Sequence, residues 1–277
     1  MYGAIIGDIV GSCYEFNSVK TKDFELFPEG STFTDDTVMT VAVASALLRN
    51  RKEGVDIHKA MIQEMQYFGR QFPYAGYGGM FNRWLRSHHP KPYNSFGNGS
   101  AMRVSPCGLI AKSMEEALNL AEISAGVTHN HPYGIEGAQA TVAAIYLAKT
   151  GASKEDIRAH ICDNYYELNK TLDEIRPTYS FNVTCQGSVP EAIVAFLESA
   201  SYTDTIRNAV SLGGDSDTQA AIAGAIAWTY YGRNGLQDDQ KALLEHIHIP
   251  DLLQNVVSEF ESYRQEIKGK SGPATEA

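Results

Sequence analysis

Along most of the chain, apolar residues return every three to four positions, the period of a helix with one buried face. The alternation that marks a half-buried strand is sustained almost nowhere. The pattern predicts helices over about 3–15, 35–50, 56–70, 100–112, 203–212, 217–231, 238–247 and 251–267. Further starts are marked by a hydroxyl residue three positions ahead of an acid, at Ser113-Met-Glu-Glu116, Ser153-Lys-Glu-Asp156 and Ser188-Val-Pro-Glu191, each a capping box or a near variant. Pro132 opens another apolar segment, which runs to Lys149 with Gly151 placed to end it. This is an all-α pattern.

Two stretches interrupt it. Residues 21–33 form a Gly/Pro-containing connection, and residues 73–99 carry glycine, aromatic and histidine residues on loops, which in a compact helical domain are candidates for function. No repeat or linker divides the chain, so one domain over residues 1–268 is expected, followed by a polar, disordered tail over 269–277.

Composition narrows the classes of partner. Of 277 residues, Lys and Arg number 23 against 33 Asp and Glu, a net charge of −10, so nucleic acid held by its backbone is excluded as an expected partner. The most apolar run, Ala220 to Trp228, is about half the ~18–20 residues a bilayer span needs, so no membrane role is expected. The start has no basic region and Asp8 breaks its apolar stretch, unlike a secretory signal. Cys13, Cys107, Cys162 and Cys185 show no C-x-x-C spacing, which fits reduced thiols and a cytoplasmic protein. An acidic surface without heptads fits a monomer.

The chemistry-bearing residues gather in short segments. Thr34-Asp35-Asp36-Thr37 precedes an apolar helix; alone it reads as an N-cap with acids in the first turn. Gly213-Gly-Asp-Ser-Asp-Thr218 stands at the mouth of a second apolar helix, where capping accounts for one acid but not both. Together they offer four carboxylates and several hydroxyls with no adjacent thiol or imidazole, a donor set suited to about two Mg²⁺, Mn²⁺ or Ca²⁺ ions and not to structural zinc. In the N-terminal helix, Gly3, Gly7 and Gly11 recur every four residues and permit close approach of another helix. Asp8, Ser12 and Glu15 line one face of it, either at the surface or directed into a polar site. Two glycine loops, Ala75-Gly-Tyr-Gly-Gly79 and Ser95-Phe-Gly-Asn-Gly99, match neither phosphate-loop fingerprint, and each alone reads as a turn. His129 and His131 sit just ahead of the Pro132 helix, where a lone histidine is usually structural.

These segments, in order GAIIGDIVGSCYEF, TDDT, GYGG, SFGNGSAMRVSP, THNHPYGIEGA and SLGGDSDTQAAIAGAIA, resemble the ADP-ribosylglycohydrolases over most of the chain. The resemblance implies a compact, single-domain orthogonal helical bundle with a di-metal cleft at helix N-termini. It implies an enzyme that cleaves the glycosidic bond between the distal ribose of ADP-ribose and an acceptor, using two Mg²⁺ (or Mn²⁺) ions. Position by position, it implies that Thr34, Asp35, Asp36, Asp215, Asp217 and Thr218 hold the metals, with Asp8 in support. It also implies that Glu15 reaches the distal ribose, and Glu15, Asp36 and Asp215 are the expected catalytic acids. The same resemblance implies that Gly76, Gly78 and Gly79 surround the diphosphate and Ser95, Phe96, Gly97 and Asn98 the ribose and adenine, with Phe96 stacking, and that His129 lies near the adenosine half. Met80 departs from the pattern, replacing a further loop glycine found in some relatives. The expected substrate is an ADP-ribosylated protein, arginine-linked first, or a small molecule, with ADP-ribose as product. A metal-dependent nucleotide pyrophosphatase or phosphohydrolase and a non-catalytic, crystallin-like ADP-ribose-binding protein are the alternatives.

Overall fold

The computed structural model describes residues 1–270. Its order is α1 (Tyr2–Ser12), α2 (Asp35–Glu53), α3 (Ile57–Gln71), α4 (Gly79–Arg86), α5 (Gly99–Met102), α6 (Ser105–Ile110), α7 (Met114–Gly126) and α8 (Pro132–Thr150). There follow α9 (Lys154–Asn164), α10 (Leu172–Ile175), a 3₁₀ turn (Cys185–Gly187), α11 (Val189–Leu197), α12 (Tyr202–Val210), α13 (Ser216–Gly232), α14 (Asp238–Leu244) and α15 (Asp251–Lys270). The all-α expectation holds: among the described residues β-pairing is confined to a single bridge between Gly97 and Thr184. No described helix is long and apolar enough to cross a membrane.

The helix at the centre is α13. Its residues from Ser216 to Thr229 are buried, and it packs against α1, α8, α11 and α12. A helix apolar on every side belongs inside a bundle. The closest neighbour, α1, lies antiparallel to it, with Gly3 against Gly224, Gly7 against Ala220 and Gly11 against Ser216 and Asp217. A methyl carbon added at Gly7 would lie 2.1 Å from the Ala220 carbonyl oxygen, so only glycine lets the two backbones meet there. The four-residue glycine repeat thus sets the end of α1 beside the start of α13.

Several boundaries differ from the sequence expectation, each for a local reason. α1 ends at Ser12 rather than near residue 15, so Glu15 lies in the turn beyond it. The helix expected over 100–112 is two short helices broken at Val104, ahead of Pro106, which supplies no N–H to continue the first. α4 lies within the stretch read as loop and begins on Gly79, the last glycine of the first glycine loop. Ser153 and Asp156 form the full capping box, but the Ser188 hydroxyl caps nothing; it donates to the Asn182 carbonyl at 2.8 Å. Gly151 takes the left-handed C-cap conformation, φ +95°. The polar tail expected from Gly269 lies, from residue 271 onward, outside the described residues; α15 reaches Lys270.

Candidate functional site

The starts of α2 and α13 meet beside α1, and their acids face one another. Asp8 is fully buried and binds the start of α2: its Oδ2 accepts from the Thr34 and Thr37 backbone amides at 2.9 and 3.0 Å, and its Oδ1 accepts from the Thr34 hydroxyl at 2.7 Å. Asp8 therefore anchors TDDT, and the same Thr34 oxygen receives the Asp36 amide as an N-cap at 3.3 Å. Across the gap, the Thr218 hydroxyl donates to Asp36 Oδ2 at 3.2 Å, while its amide donates to Asp217 Oδ1 at 2.9 Å.

Two triads of carboxylates result, Asp8–Asp36–Asp217 and Glu15–Asp215–Asp217, each offering oxygens within 4.8 Å of one another. Asp217 belongs to both, so the triads form one continuous acidic floor. Asp35, half-buried, turns toward the first glycine loop: its amide donates to the Ala75 carbonyl at 2.7 Å, and Gly76, at φ +106°, leaves room for its carboxylate. Asp36, Asp215 and Asp217 are thereby brought together, with Glu15 joining from the turn after α1; Thr218 is bonded to Asp36 and Thr34 to Asp8, while Asp35 stands outside both triads.

No lysine, arginine or histidine forms an ion pair with these acids among the described residues. Burial, and after it the Asp217 charge, pushes Asp8 up to about 7. Glu15 is raised to about 7 by the same two causes, with Asp8 adding to them. Asp35, Asp36 and Asp215 are raised well above the usual carboxylate range, again by burial and then by Asp217. One Asp36 oxygen, Oδ1, is buried with no hydrogen-bond partner. Like charges packed out of water with an orphaned carboxylate oxygen call for a cation, and the all-oxygen donor set fits a hard divalent ion.

Beside this floor runs the second glycine loop. Asn98 Nδ2 donates to Asp215 Oδ2 at 2.7 Å and to the Ser188 hydroxyl at 3.1 Å, so the loop is fastened to the acids directly, a link that spacing did not signal. The Gly97–Thr184 bridge holds it from the other side, with the Asn98 amide donating to the Val183 carbonyl at 2.8 Å. Ser95 Oγ accepts from the Gly97 amide at 3.1 Å and shapes the turn. Phe96 stands 45% exposed above it, its ring 5.2 Å from His131. His129 lies beneath, only 5% exposed. Gly78 and Gly79 open the other loop toward solvent, with nothing within 4 Å of a methyl group built on either.

An aromatic pair that sequence reasoning passed over borders the acids. Phe16, next to Glu15, is 81% exposed and stacks on Phe181 with ring centroids 6.3 Å apart. Phe181 in turn adjoins Asn182, whose carbonyl holds Ser188.

A family model described as ADP-ribosylglycohydrolase matches residues 1–268. The chain is 29% identical to the mouse protein named ADP-ribosylhydrolase ARH3, over 91% of this chain and 88% of that one. It is 26% identical to ADP-ribosylarginine hydrolase Tri1 of Pseudomonas putida (strain GB-1), over 85% and 70%. Among solved structures it is similar to a chain titled "ADP-ribosylglycohydrolase-related protein complex", with a TM-score of 0.69, 23% identity, and coverage of 92% of this chain and 93% of that one.

Proposed function

The chain belongs to the ADP-ribosylglycohydrolase family, and from that premise we propose that it hydrolyses the bond between the distal ribose of an ADP-ribosyl group and its acceptor, releasing ADP-ribose. The observation that carries this reading is the acidic floor itself: carboxylates from three separate segments converge with no basic partner, beside a glycine loop fastened to them by Asn98. Thr34, Asp35, Asp36, Asp215, Asp217 and Thr218 would hold two Mg²⁺ ions, or Mn²⁺ in their place. Such ions supply orientation of the ribose hydroxyls and a water acidified toward neutral pH.

The chain's own groups do the rest. Amides of Gly76, Gly78 and Gly79 bind the diphosphate, a role that backbone N–H groups perform where no Cβ intervenes. Ser95, Gly97 and Asn98 seat the ribose and adenine, Phe96 stacks on the base, and His129 supports the adenosine half. With the nucleotide held at that end, the anomeric carbon lies over the acidic floor, where oxocarbenium character builds as the bond breaks. Glu15, raised to about 7, is suited to orient a ribose hydroxyl or move a proton near neutrality. Asp36 and Asp215 complete the catalytic acids.

The acceptor is an ADP-ribosylated protein side chain, arginine first, or a small molecule, and it meets the site at the side where Phe16 and Phe181 stand. Four unpaired cysteines support a cytoplasmic setting. The test is a panel of arginine-, serine- and O-acetyl-linked ADP-ribose assayed with Mg²⁺, Mn²⁺ or chelator, with products separated by chromatography. Intact ADP-ribose, formed only with metal, is expected. AMP with ribose phosphate would mean pyrophosphate cleavage instead, and turnover in excess chelator would refute the role given to the acids.

A further inference from the structure

Arg103 heads the fully buried side chains by size, 1% exposed, and forms no ion pair among the described residues. Its Nη2 donates to the Ser124 carbonyl and to Thr128 Oγ1, both at 2.8 Å, and its guanidinium lies 5.8 Å from the Phe81 ring centre. A guanidinium buried without a carboxylate is costly to keep, so its hydrogen bonds deserve a function. Thr128 Oγ1 in turn lies 2.6 Å from His129 Nδ1.

We propose that Arg103 and Thr128 are positioning residues that lock His129 as the neutral Nε2–H tautomer, presenting a hydrogen-bond donor to bound nucleotide from beneath the Ser95–Gly99 turn. The inference rests on the ADP-ribose reading above for the identity of the ligand, but not for the state of the ring.

Arginine donates and never accepts, so its contact occupies a lone pair of Thr128 Oγ1 and leaves the hydroxyl proton to point elsewhere. Two acceptors are within reach, His129 Nδ1 at 2.6 Å and the Ala125 carbonyl at 3.5 Å. The shorter contact takes the proton, because a hydroxyl bond near 3.5 Å is at the limit of attraction. Nδ1 is then an acceptor, and a neutral imidazole with an acceptor Nδ1 carries its proton on Nε2. The ring stays neutral: burial first, and the Arg103 charge second, hold its pKa well below the usual histidine range. Arg103 itself, lowered by burial to about 10, remains a cation at neutral pH.

Nε2 faces the turn. Methyl carbons built on Gly97 and Gly99 would lie 3.6 and 3.3 Å from it, so both glycines keep the space above the ring open. Among the described residues the ring's hydrogen bond is at Nδ1. A nearly buried N–H with no partner among the described residues is satisfied by an oxygen that only accepts, such as a phosphate or ribose ether oxygen.

Long-range ¹⁵N–¹H spectra of the ligand-free wild-type protein read the tautomer directly, with His129→Gln identifying the signals. The expected pattern is a pyrrole-type Nε2 and a pyridine-type Nδ1; the reverse pattern overturns the inference. Thr128→Val, which keeps the shape and removes the hydroxyl, is expected to mix the two tautomers and to weaken ADP-ribose binding by calorimetry about tenfold. In turnover that loss falls on KM rather than kcat, and Thr128→Ser restores both tautomer and affinity. Wild-type ring signals and affinity in Thr128→Val would overturn the proposal. Wild-type protein that binds no ADP-ribose overturns the functional reading, while the ring pattern still decides the tautomer.

Discussion

Replacing Gly7 with alanine is expected to damage stability and activity together, because one contact supports both. The added methyl carbon would lie 2.1 Å from the Ala220 carbonyl oxygen, 2.4 Å from its carbon and 2.8 Å from the Ala221 nitrogen. All three are backbone atoms of α13, so no rotamer relieves the overlap and α1 must withdraw by roughly 1 Å to regain ordinary contact. Overpacking against backbone atoms that cannot move aside lies at the upper end of the usual range, about 3 kcal/mol, and the ~1 kcal/mol that alanine gains over glycine in a helix leaves a net loss of about 2 kcal/mol. For a chain of this size that net loss lowers Tm by about 4–8 °C. Asp8 follows Gly7 and is carried with it, away from Asp36 and Asp217, whose oxygens lie within 4.8 Å of its own. Misplacement of a reacting group by about 1 Å costs on the order of 10²-fold in rate. Thermal unfolding and kcat/KM for ADP-ribose release measure the two effects. Gly126→Ala is the control: it ends α7, has nothing within 4 Å of the added carbon, and is expected to hold or raise Tm. A Gly7→Ala protein within about 1 °C and about threefold of wild type would refute the seating of α1 on α13, since a net loss of about 2 kcal/mol exceeds that margin.

Asp36→Asn is expected to reduce hydrolysis by at least ~10²-fold while leaving the helical circular-dichroism spectrum intact and raising the metal-free Tm, since one buried like charge is removed; full activity would contradict the assignment. The pH dependence of the chelated protein has a definite sign. Asp8 and Glu15 are raised to about 7, above their unfolded values, so the folded state binds more protons and stability falls as pH rises from about 4 through 7. Mg²⁺ should flatten that slope, and a chelated Tm that climbs over the same range would show that the acids do not repel one another. Phe96→Ala, which removes the exposed ring above the Ser95–Gly99 turn, should raise KM about tenfold with a smaller change in kcat; an unchanged KM would remove the base from that position.

Much of this architecture was legible because the local signals agreed with the global ones. TDDT and GGDSDT read correctly as helix starts, and the glycine repeat of α1 foretold a close helix neighbour, though only the structure names α13 as that neighbour. Asp8 was visible as a polar residue on an apolar helix, but its grip on the amides of Thr34 and Thr37 depends on tertiary placement that no spacing encodes. Ser188 misled for the same reason: its hydroxyl has a capping position by sequence and a long-range partner in space, and the long-range partner wins. Arg103 and the Phe16–Phe181 pair left no periodic trace, one because it is a charge inside the core, the other because it joins two connections far apart in sequence.

The division between helix starts and connections bears on how such a site can be redesigned. The acids are fixed to α2 and α13 and to a glycine-packed α1, so substitutions there are coupled to folding. Phe16, Tyr74 and Phe181 stand exposed on connecting segments. A combinatorial library aimed at new leaving groups belongs on those segments, where diversity can be screened without spending the stability that holds the acids in register.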